Sequence, residues 1–243
     1  WNLTSKVFKQ IFSLQSVDEK GDWSKYVLFP AVFKKAGYHV SFLSNQFPYG
    51  INYTPDWTNN LVGGFFLNHP QLNKQMFDYR NVTIHNYDEN LLNDYKDIIS
   101  YKKPQLIIFH LLGQHFQYLL RCKSNMKKFG IKDYKRMDLT DKEKQTIADY
   151  DNATLYNDFV LNKIVEQFRN KDAIIVYLSD HGEDCYGKDV NMAGRLTEVE
   201  QINLRKYHEE FEIPFWIWCS PIYKQRHRKI FTETLMARSN KFM

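Results

Sequence analysis

The chain has 243 residues, of which 43% are hydrophobic and 16% aromatic, and its formal net charge is +5. This length and apolar content suffice for one large domain with a sizeable core. The near balance between 33 basic and 28 acidic residues gives no indication of a nucleic-acid partner. The longest apolar run, Leu106–Leu112, is interrupted by His110 and is far shorter than the ~18 residues of a membrane span.

The predicted elements alternate between helices and strands. The first is an amphipathic helix after Thr4, with Val7, Phe8, Ile11 and Phe12 on one face. Later helices are predicted at Ser24–Lys35, Asn86–Ile99, Asp141–Phe168 and Tyr223–Ala237. Strands rich in aromatic or β-branched residues are predicted at His39–Ser44, Gln105–Leu111, Ala173–Ser179 and Pro214–Cys219.

This alternation predicts an α/β fold with a mostly parallel sheet and helices on both faces. No internal repeat or linker divides the chain, so residues 1–243 are expected to form a single domain. The three cysteines, Cys122, Cys185 and Cys219, form no CxxC pair and indicate neither a zinc ribbon nor a disulfide framework. The sequence leaves open whether two of these cysteines form a disulfide and one remains a free thiol. It also leaves the redox compartment open.

Polar clusters follow three of the predicted strands, at the edge where open parallel sheets bind ligands. They are Ser44-Asn45-Gln46, the run from His110 to His115, and Ser179-Asp180-His181-Gly182-Glu183. His208 precedes the last strand. The sequence therefore predicts a site at this edge of the sheet.

Asp180 and His181 are the most informative pair in these clusters. A carboxylate oxygen and an imidazole nitrogen are both zinc ligands, and Gly182 permits a close approach. The alternative is a helix cap at Asp180 beside a surface His181. His110 lies within an apolar run and is expected to be packed and hydrogen-bonded, which leaves His115 as the better ligand candidate.

Thr4 allows two interpretations. Threonine is common at helix N-caps, and a hydroxyl at a helix N-terminus also lies where a phosphate is favoured and, beside a metal, can attack phosphorus. The residues alone favour the cap.

Five segments together carry a resemblance to a known family. They are Lys34-Lys35-Ala36-Gly37-Tyr38 with Ser44-Asn45-Gln46, His110 to His115, Tyr150 to Asp158, Tyr177 to Glu183, and Glu212-Ile213-Pro214-Phe215. In order and spacing they resemble the phosphoethanolamine transferases that modify bacterial lipopolysaccharide, above all the branch that acts on the lipopolysaccharide core. The resemblance spans nearly the whole chain and implies a three-layer α/β/α sandwich with a mostly parallel central sheet, as in alkaline phosphatase.

The resemblance also implies residue roles. The family's nucleophilic threonine precedes an "FS" or "LS" pair, and Thr4 lies at the matching place, nine positions before Ser13. Zinc would be held by Thr4, Asp180, His181 and an upstream glutamate. The phosphoryl group or a second metal would be bound by His115, by Asn45 and Gln46, and by His208, whose match is loose.

The upstream glutamate, its strand and the family's membrane region have no counterpart in these residues, so weak zinc binding is expected. The resemblance places the domain at the periplasmic face of the bacterial inner membrane, as a soluble part of a protein anchored through that absent N-terminal region.

The implied activity is transfer of phosphoethanolamine from phosphatidylethanolamine to a lipopolysaccharide core sugar or lipid A through a phospho-threonine. A phosphoglycerol transferase, a sulfatase-like hydrolase and a non-catalytic glycan- or lipid-binding relative are the alternatives. A sulfatase needs a C/S-x-P-x-R motif, and the nearest match, Cys219-Ser220-Pro221-Ile222-Tyr223, lacks the arginine.

Overall fold

The structure, a computed structural model, describes residues 4–16, 18–46, 70–81, 83–98, 103–187, 192–195 and 208–239. Its helices are α1 (Thr4–Phe12), α2 (Phe29–Lys35), α3 (Pro70–Met76), α4 (Leu91–Ile98), α5 (Asp141–Phe168), α6 (Pro221–Arg226) and α7 (Arg228–Ser239). Its strands are β1 (His39–Ser44), β2 (Tyr79–Arg80), β3 (Gln105–His110), β4 (Ile174–Leu178), β5 (Asp184–Cys185), β6 (Ala193–Gly194) and β7 (Phe215–Cys219).

Three parallel strands form the buried sheet, in the order β2-β1-β3. In this register Ser44 pairs with His110, so the carboxyl ends of β1 and β3 meet at one edge. Strand β7 runs antiparallel to β4 and pairs Phe215 with Leu178. The residues before β7 therefore lie beside the residues that follow β4.

Helices pack on both faces of the parallel sheet. Val40 and Phe42 of β1 face the aromatic side chains of α1, including Phe12, and Met76 of α3. Leu43, which points to the opposite face, packs with residues of α4. This alternation follows from the two-residue period of a strand, and it confirms the predicted α/β fold with helices on both faces.

Three predicted helices differ from the structure. The one predicted at Asn86–Ile99 is a 3-10 turn, Asp88–Asn90, followed by α4 from Leu91, and two others are broken. The helix predicted at Ser24–Lys35 is a short 3-10 turn, Trp23–Lys25, followed by α2 from Phe29. Pro30 has no backbone N–H to donate and fits only the first turn of a helix, so α2 begins there. The last predicted helix is divided into α6 and α7 at His227, whose ψ of 40° is not helical.

Helix α5 has the predicted bounds. Thr140 and Glu143 form a capping box at its start, in which each side chain accepts the other residue's backbone N–H. Tyr156, Val160 and Ile164 are buried along one stripe, as their spacing predicts.

The three cysteines are unpaired in the structure. Among the described residues, no helix is long and apolar enough to cross a bilayer.

Candidate active site

Helix α1 places Thr4 beyond the carboxyl edge of the parallel sheet. Thr4, Phe8 and Phe12 are four residues apart and share one helix face. Phe12 is 1% exposed, and the Phe8 ring lies 4.6 Å from the ring of His110, the last residue of β3. Thr4 is about one helical turn, ~5.4 Å, before Phe8 in α1. It therefore lies beyond the end of β3.

The Thr4 hydroxyl meets the residues that follow β4. Thr4 Oγ1 lies 3.3 Å from His181 Nε2, and the same nitrogen lies 3.3 Å from Asp180 Oδ2. The structure thus brings Thr4 together with Asp180 and His181, although Thr4 and His181 are 177 positions apart in the chain.

The tautomer of His181 is set by its second nitrogen. Nδ1 lies 2.8 Å from the carbonyl oxygen of Gly182, which can only accept a hydrogen bond, so Nδ1 carries the hydrogen and Nε2 presents its lone pair. Burial and the charge of Arg195 lower the pKa of His181, and Asp180 opposes them. The ring is therefore neutral at pH 7, the form that binds a metal or accepts a proton.

The arrangement fits part of a zinc site. Ligands placed tetrahedrally at ~2.0–2.2 Å from zinc lie about 3.3–3.5 Å from one another, and the two separations at His181 Nε2 have this size. The Nδ1–H bond to a carbonyl is the usual support for a histidine ligand. In the described part of the chain, however, no three His, Cys, Asp or Glu side chains converge closely enough to hold a metal by themselves.

Among the described residues, Arg195 brings a cation into contact with these donors. Its Nη1 contacts His181 Nε2, so a metal ion could bind that nitrogen only after the guanidinium moves aside. Arg195 and Arg121 also lower the pKa of His115, after the larger effect of burial. Two guanidinium charges therefore act on this edge of the sheet, beside the carboxylate of Asp180.

The two histidines of the β3 segment have different environments. His110 Nδ1 lies 2.8 Å from Ser44 Oγ and its ring stacks on Phe42, which confirms the predicted packed histidine. Burial lowers its pKa to about 4. His115 follows a turn at Gly113, whose φ of 53° suits glycine, and its charge interacts with that of Asp180.

Asn45 is placed differently from a substrate ligand. It is fully buried, donates from Nδ2 to Asp88 at 2.8 Å and accepts from the backbone of His85 at 2.7 Å. Asp88 in turn accepts the N–H groups of Leu112 and Gly113. Asn45 therefore positions the turn that leads to His115 and leaves no surface for a substrate group.

Gln46 and His208 lie at the same edge of the fold. The backbone N–H of Gln46 donates to Ser44 Oγ at 3.2 Å. His208 is exposed and begins the 3-10 turn His208–Glu210, which lies against the segment after β4 because Gly182 N–H donates to the carbonyl of Glu210 at 3.0 Å.

Sequence reasoning missed Arg195 and gave no role to Glu209 and Glu210, the acidic residues of the turn before β7. Arg195 follows a two-residue strand that leaves no periodic pattern. Glu209 and Glu210 come near Gly182 because β7 is antiparallel to β4. If β7 were parallel to β4, Glu209 and Glu210 would lie at the opposite edge of the sheet.

The family model described as Sulfatase matches residues 2–239, and the chain therefore belongs to the sulfatase family. Among curated proteins it is similar to phosphoethanolamine transferase EptC of Escherichia coli (strain K12), with 30% identity over 208 residues that cover 83% of this chain and 34% of that protein. It is also similar to Kdo(2)-lipid A phosphoethanolamine 7''-transferase of Escherichia coli (strain K12), with 30% identity over 118 residues, or 49% of this chain and 20% of that protein.

Among solved structures, the chain is similar to the C-terminal periplasmic domain of EcEptC from Escherichia coli in complex with Zn. The TM-score is 0.74 and the identity 26%, and the match covers 93% of this chain and 61% of that chain. The chain spans about a third of the length of the EptC relative. These likenesses confirm the resemblance to phosphoethanolamine transferases that the motifs indicated.

Proposed function

We propose that the protein transfers phosphoethanolamine from phosphatidylethanolamine to a lipopolysaccharide acceptor, a core sugar or lipid A, through a phospho-threonine at Thr4. The observation that carries the proposal is the position of the Thr4 hydroxyl, at the start of α1 and 3.3 Å from the lone pair of His181 Nε2. The transferase and lipid A activities named for the relatives support the choice of headgroup and acceptor.

In the first half-reaction, Thr4 Oγ1 attacks the phosphorus of the donor. An O–P bond to threonine forms, the P–O bond to diacylglycerol breaks, and the hydroxyl proton ends on the diacylglycerol oxygen. In the second half-reaction an acceptor hydroxyl or phosphate oxygen attacks the phosphorus of the phospho-threonine. The new P–O bond to the acceptor forms, the P–O bond to Thr4 breaks, and the proton of the attacking group returns to Thr4 Oγ1. The N–H groups of the first turn of α1 favour the phosphate at this point.

Thr4, Asp180 and His181 are the residues that would hold a zinc ion, which would lower the pKa of the threonine hydroxyl and stabilise charge on the transferred group. A Zn complex of the similar periplasmic domain supports this choice of metal. His115 and Arg195 would orient the phosphoryl oxygens. His208 would bind the phosphoryl group or a second metal ion. The donor lipid implies work at a membrane surface, and the likeness to a C-terminal periplasmic domain supports the periplasmic face of the inner membrane.

Headgroup transfer tests the proposal. The protein, supplied with zinc, is incubated with vesicles that contain phosphatidylethanolamine labelled in the ethanolamine and with lipopolysaccharide. We expect label in the lipopolysaccharide with the wild-type protein and none with Thr4→Ala. Transfer from phosphatidylglycerol in place of phosphatidylethanolamine would identify a phosphoglycerol transferase, and equal transfer by Thr4→Ala would rule out the proposed nucleophile.

A further inference from the structure

An exposed group of apolar side chains directly follows His115 in the chain. Phe116, Leu119 and Leu120, here called the apolar turn, are 60%, 56% and 56% exposed. They lie within five residues of one another, in and beside the 3-10 turn Tyr118–Leu120. Single exposed apolar side chains are common on protein surfaces, but a contiguous group of them indicates an interaction site.

Buried neighbours hold the apolar turn in place. The buried ring of Tyr118 packs against that of Tyr150 in α5, with 5.1 Å between the ring centroids. Cys122, two residues after the turn, is buried in the core cluster around α5. Successive side chains of a 3-10 helix point in directions about 120° apart. Because Tyr118 points to α5, Leu119 and Leu120 point away from it and into solvent.

The apolar turn begins a strongly basic part of the chain. Residues 116–137, here called the basic segment, contain seven basic residues and one acidic residue, which gives them a net charge of +6. The whole chain has a net charge of +5, so this segment carries all of the excess positive charge. Lys128, Lys132 and Lys135 are exposed.

Consecutive residues of α5 bring the apolar turn and the lysines together. Tyr150 contacts the apolar turn through Tyr118, as described above. The next residue, Asp151, accepts the hydroxyl of Tyr134 at 2.5 Å. Asn152 Oδ1 then accepts the backbone N–H of Lys128 at 2.7 Å. Three consecutive helical residues span only about 3 Å along the axis, so the basic segment wraps around one turn of α5.

The apolar turn is also connected to the candidate active site. Arg121 Nε donates to the carbonyl oxygen of His115 at 3.3 Å, and Arg121 Nη2 donates to that of Phe116 at 3.1 Å. One guanidinium thus holds the backbone of the histidine assigned to the phosphoryl group and that of the first residue of the apolar turn. The position of the apolar turn therefore fixes the position of His115.

We propose that the apolar turn enters the surface of a lipid bilayer with anionic headgroups, and that the exposed lysines of the basic segment bind those headgroups. The inference rests on the proposed function, because it brings His115 to the depth at which the phosphate of a donor lipid lies. Large apolar side chains beside lysines are typical of segments that lie on membranes. Lysine is depleted at protein–protein interfaces, so this composition favours a lipid surface over a protein partner.

Co-sedimentation with vesicles tests the surface without turnover. The vesicles contain phosphatidylethanolamine with phosphatidylglycerol, which is anionic, or with phosphatidylcholine, which is not. We expect the wild-type protein to bind the anionic vesicles at low salt. Leu119→Ser/Leu120→Ser, which leaves Phe116 beside His115 unchanged, should bind them at least about tenfold more weakly, because two apolar side chains no longer leave water.

The lysines are tested by Lys128→Gln/Lys132→Gln/Lys135→Gln. Binding to the anionic vesicles should fall by about fivefold for each lysine, and its dependence on salt should decrease. Leu14→Ser/Val27→Ser is the matched control. Leu14 and Val27 are 62% and 59% exposed and are joined by a backbone hydrogen bond, but they lie beyond the other end of α1 from Thr4. This variant should bind vesicles like the wild type.

A soluble donor separates membrane binding from chemistry and from folding. Formation of the phosphoethanolamine adduct at Thr4 is measured with vesicles and with dihexanoyl phosphatidylethanolamine below its micelle concentration. Leu119→Ser/Leu120→Ser should form the adduct more slowly than wild type from vesicles and at the wild-type rate from the soluble donor. An equal loss with both donors would show that the leucines support the fold, and the proposal would be wrong.

Three results of the binding assay would overturn the proposal. They are no binding of the wild type to anionic vesicles at low salt, equal binding by the leucine variant, and a wild-type dimer in sedimentation that the leucine variant dissociates. The outcome is separable from the proposed function. If vesicle binding depends on the leucines but no adduct forms at Thr4, the membrane surface stands and the nucleophile is wrong. If the adduct forms but vesicle binding does not depend on the leucines, the membrane surface fails alone.

Discussion

Thr4 can be tested for the two roles of a threonine at the start of a helix, cap and nucleophile. It is the first residue of α1, where a hydroxyl can cap the helix, and its Oγ1 also lies 3.3 Å from His181. The two roles have different consequences when the side chain is changed, because a cap affects stability and a nucleophile affects transfer.

Thr4→Ala should therefore abolish transfer while it lowers the free energy of unfolding by only about 1 kcal/mol, the usual contribution of a cap. Thr4→Ser keeps the hydroxyl and should retain part of the activity with nearly wild-type stability. Urea denaturation followed by circular dichroism and the headgroup assay measure the two effects. An inactive Thr4→Ala protein that is also unfolded would leave Thr4→Ser to decide, and loss of transfer in a folded Thr4→Ser would contradict the role of the hydroxyl.

Asp184 gives a second prediction at the scale of a residue. Burial and the neighbouring Glu210 raise its pKa from 3.8 to about 7. The folded protein then binds this proton more tightly than the unfolded chain, so the stability from this group is complete below about pH 4 and is lost as the pH rises through about 7. Asp184→Asn should remove that loss.

The measurement is the free energy of unfolding at pH 5 and pH 8. The gain of Asp184→Asn over wild type should be larger at pH 8, by on the order of 2 kcal/mol, since each pKa unit corresponds to about 1.4 kcal/mol. The same gain at both pH values would show that Asp184 has an ordinary pKa in the folded protein.

The sequence predicted some of these residues and missed others for physical reasons. Asp180 and His181 are neighbours in the chain and follow an apolar strand, so the sequence alone shows that they are close to each other. The distance between Thr4 and His181 depends on how α1 packs on the sheet. This packing cannot be derived from the spacing of residues in the sequence. Asn45 also follows a strand, but its side chain turns inward to Asp88, and the position alone cannot show this direction.

At the scale of elements, the four predicted strands were located better than the helix starts, whereas the two-residue strands β2, β5 and β6 were not predicted. Strand β1 has the predicted bounds, and β3, β4 and β7 differ from prediction by a residue at their ends. Apolar runs of this length indicate strands, although they do not fix burial, because alternate residues of β4 and β7 are exposed. Pro30 is a signal within the sequence that α2 begins after the predicted Ser24. The antiparallel direction of β7 depends instead on the path of the chain between β4 and β7, which local sequence does not show.

The contact between the turn after β4 and the turn before β7 gives a prediction at this scale. Gly182→Ala places Cβ 1.9 Å from the carbonyl oxygen of Glu209 and 2.7 Å from that of Glu212, and backbone atoms cannot rotate away. We expect a loss of about 1–3 kcal/mol of unfolding free energy, together with loss of transfer. Thermal and urea unfolding measure the first effect.

Gly187→Ala is the matched control. Its Cβ would lie 2.5 Å from Oε2 of Glu209, the mobile end of a side chain that can adopt another rotamer. This variant should be less destabilised than Gly182→Ala. Equal stability of the two variants would contradict the packing of the two turns.

At the scale of the whole molecule, the site contains three of the donors that the family resemblance implies. Thr4, Asp180 and His181 lie together, but no three His, Cys, Asp or Glu side chains of the described residues converge on one metal position. This small set of ligands and the nearby guanidinium of Arg195 both weaken the binding of a cation.

We therefore expect little zinc in the protein at neutral pH without added metal, and weak binding when zinc is added. Calorimetric titration should show that Asp180→Ala lowers this affinity further. Asp172→Ala, which removes a carboxylate just before β4 that pairs with Arg226, should leave it unchanged. Tight stoichiometric zinc that persists in Asp180→Ala would show that other residues hold the metal.

The central claim is that Thr4 carries the phosphoryl group between donor and acceptor. The most direct measurement is peptide mass spectrometry of the zinc-supplied protein after incubation with phosphatidylethanolamine in the absence of acceptor, because the intermediate then cannot be discharged. The account predicts a phosphoethanolamine adduct on the peptide that contains Thr4, absent from Thr4→Ala and removed when lipopolysaccharide is added. An adduct on another residue, or transfer by Thr4→Ala at a rate near that of the wild type, would contradict it.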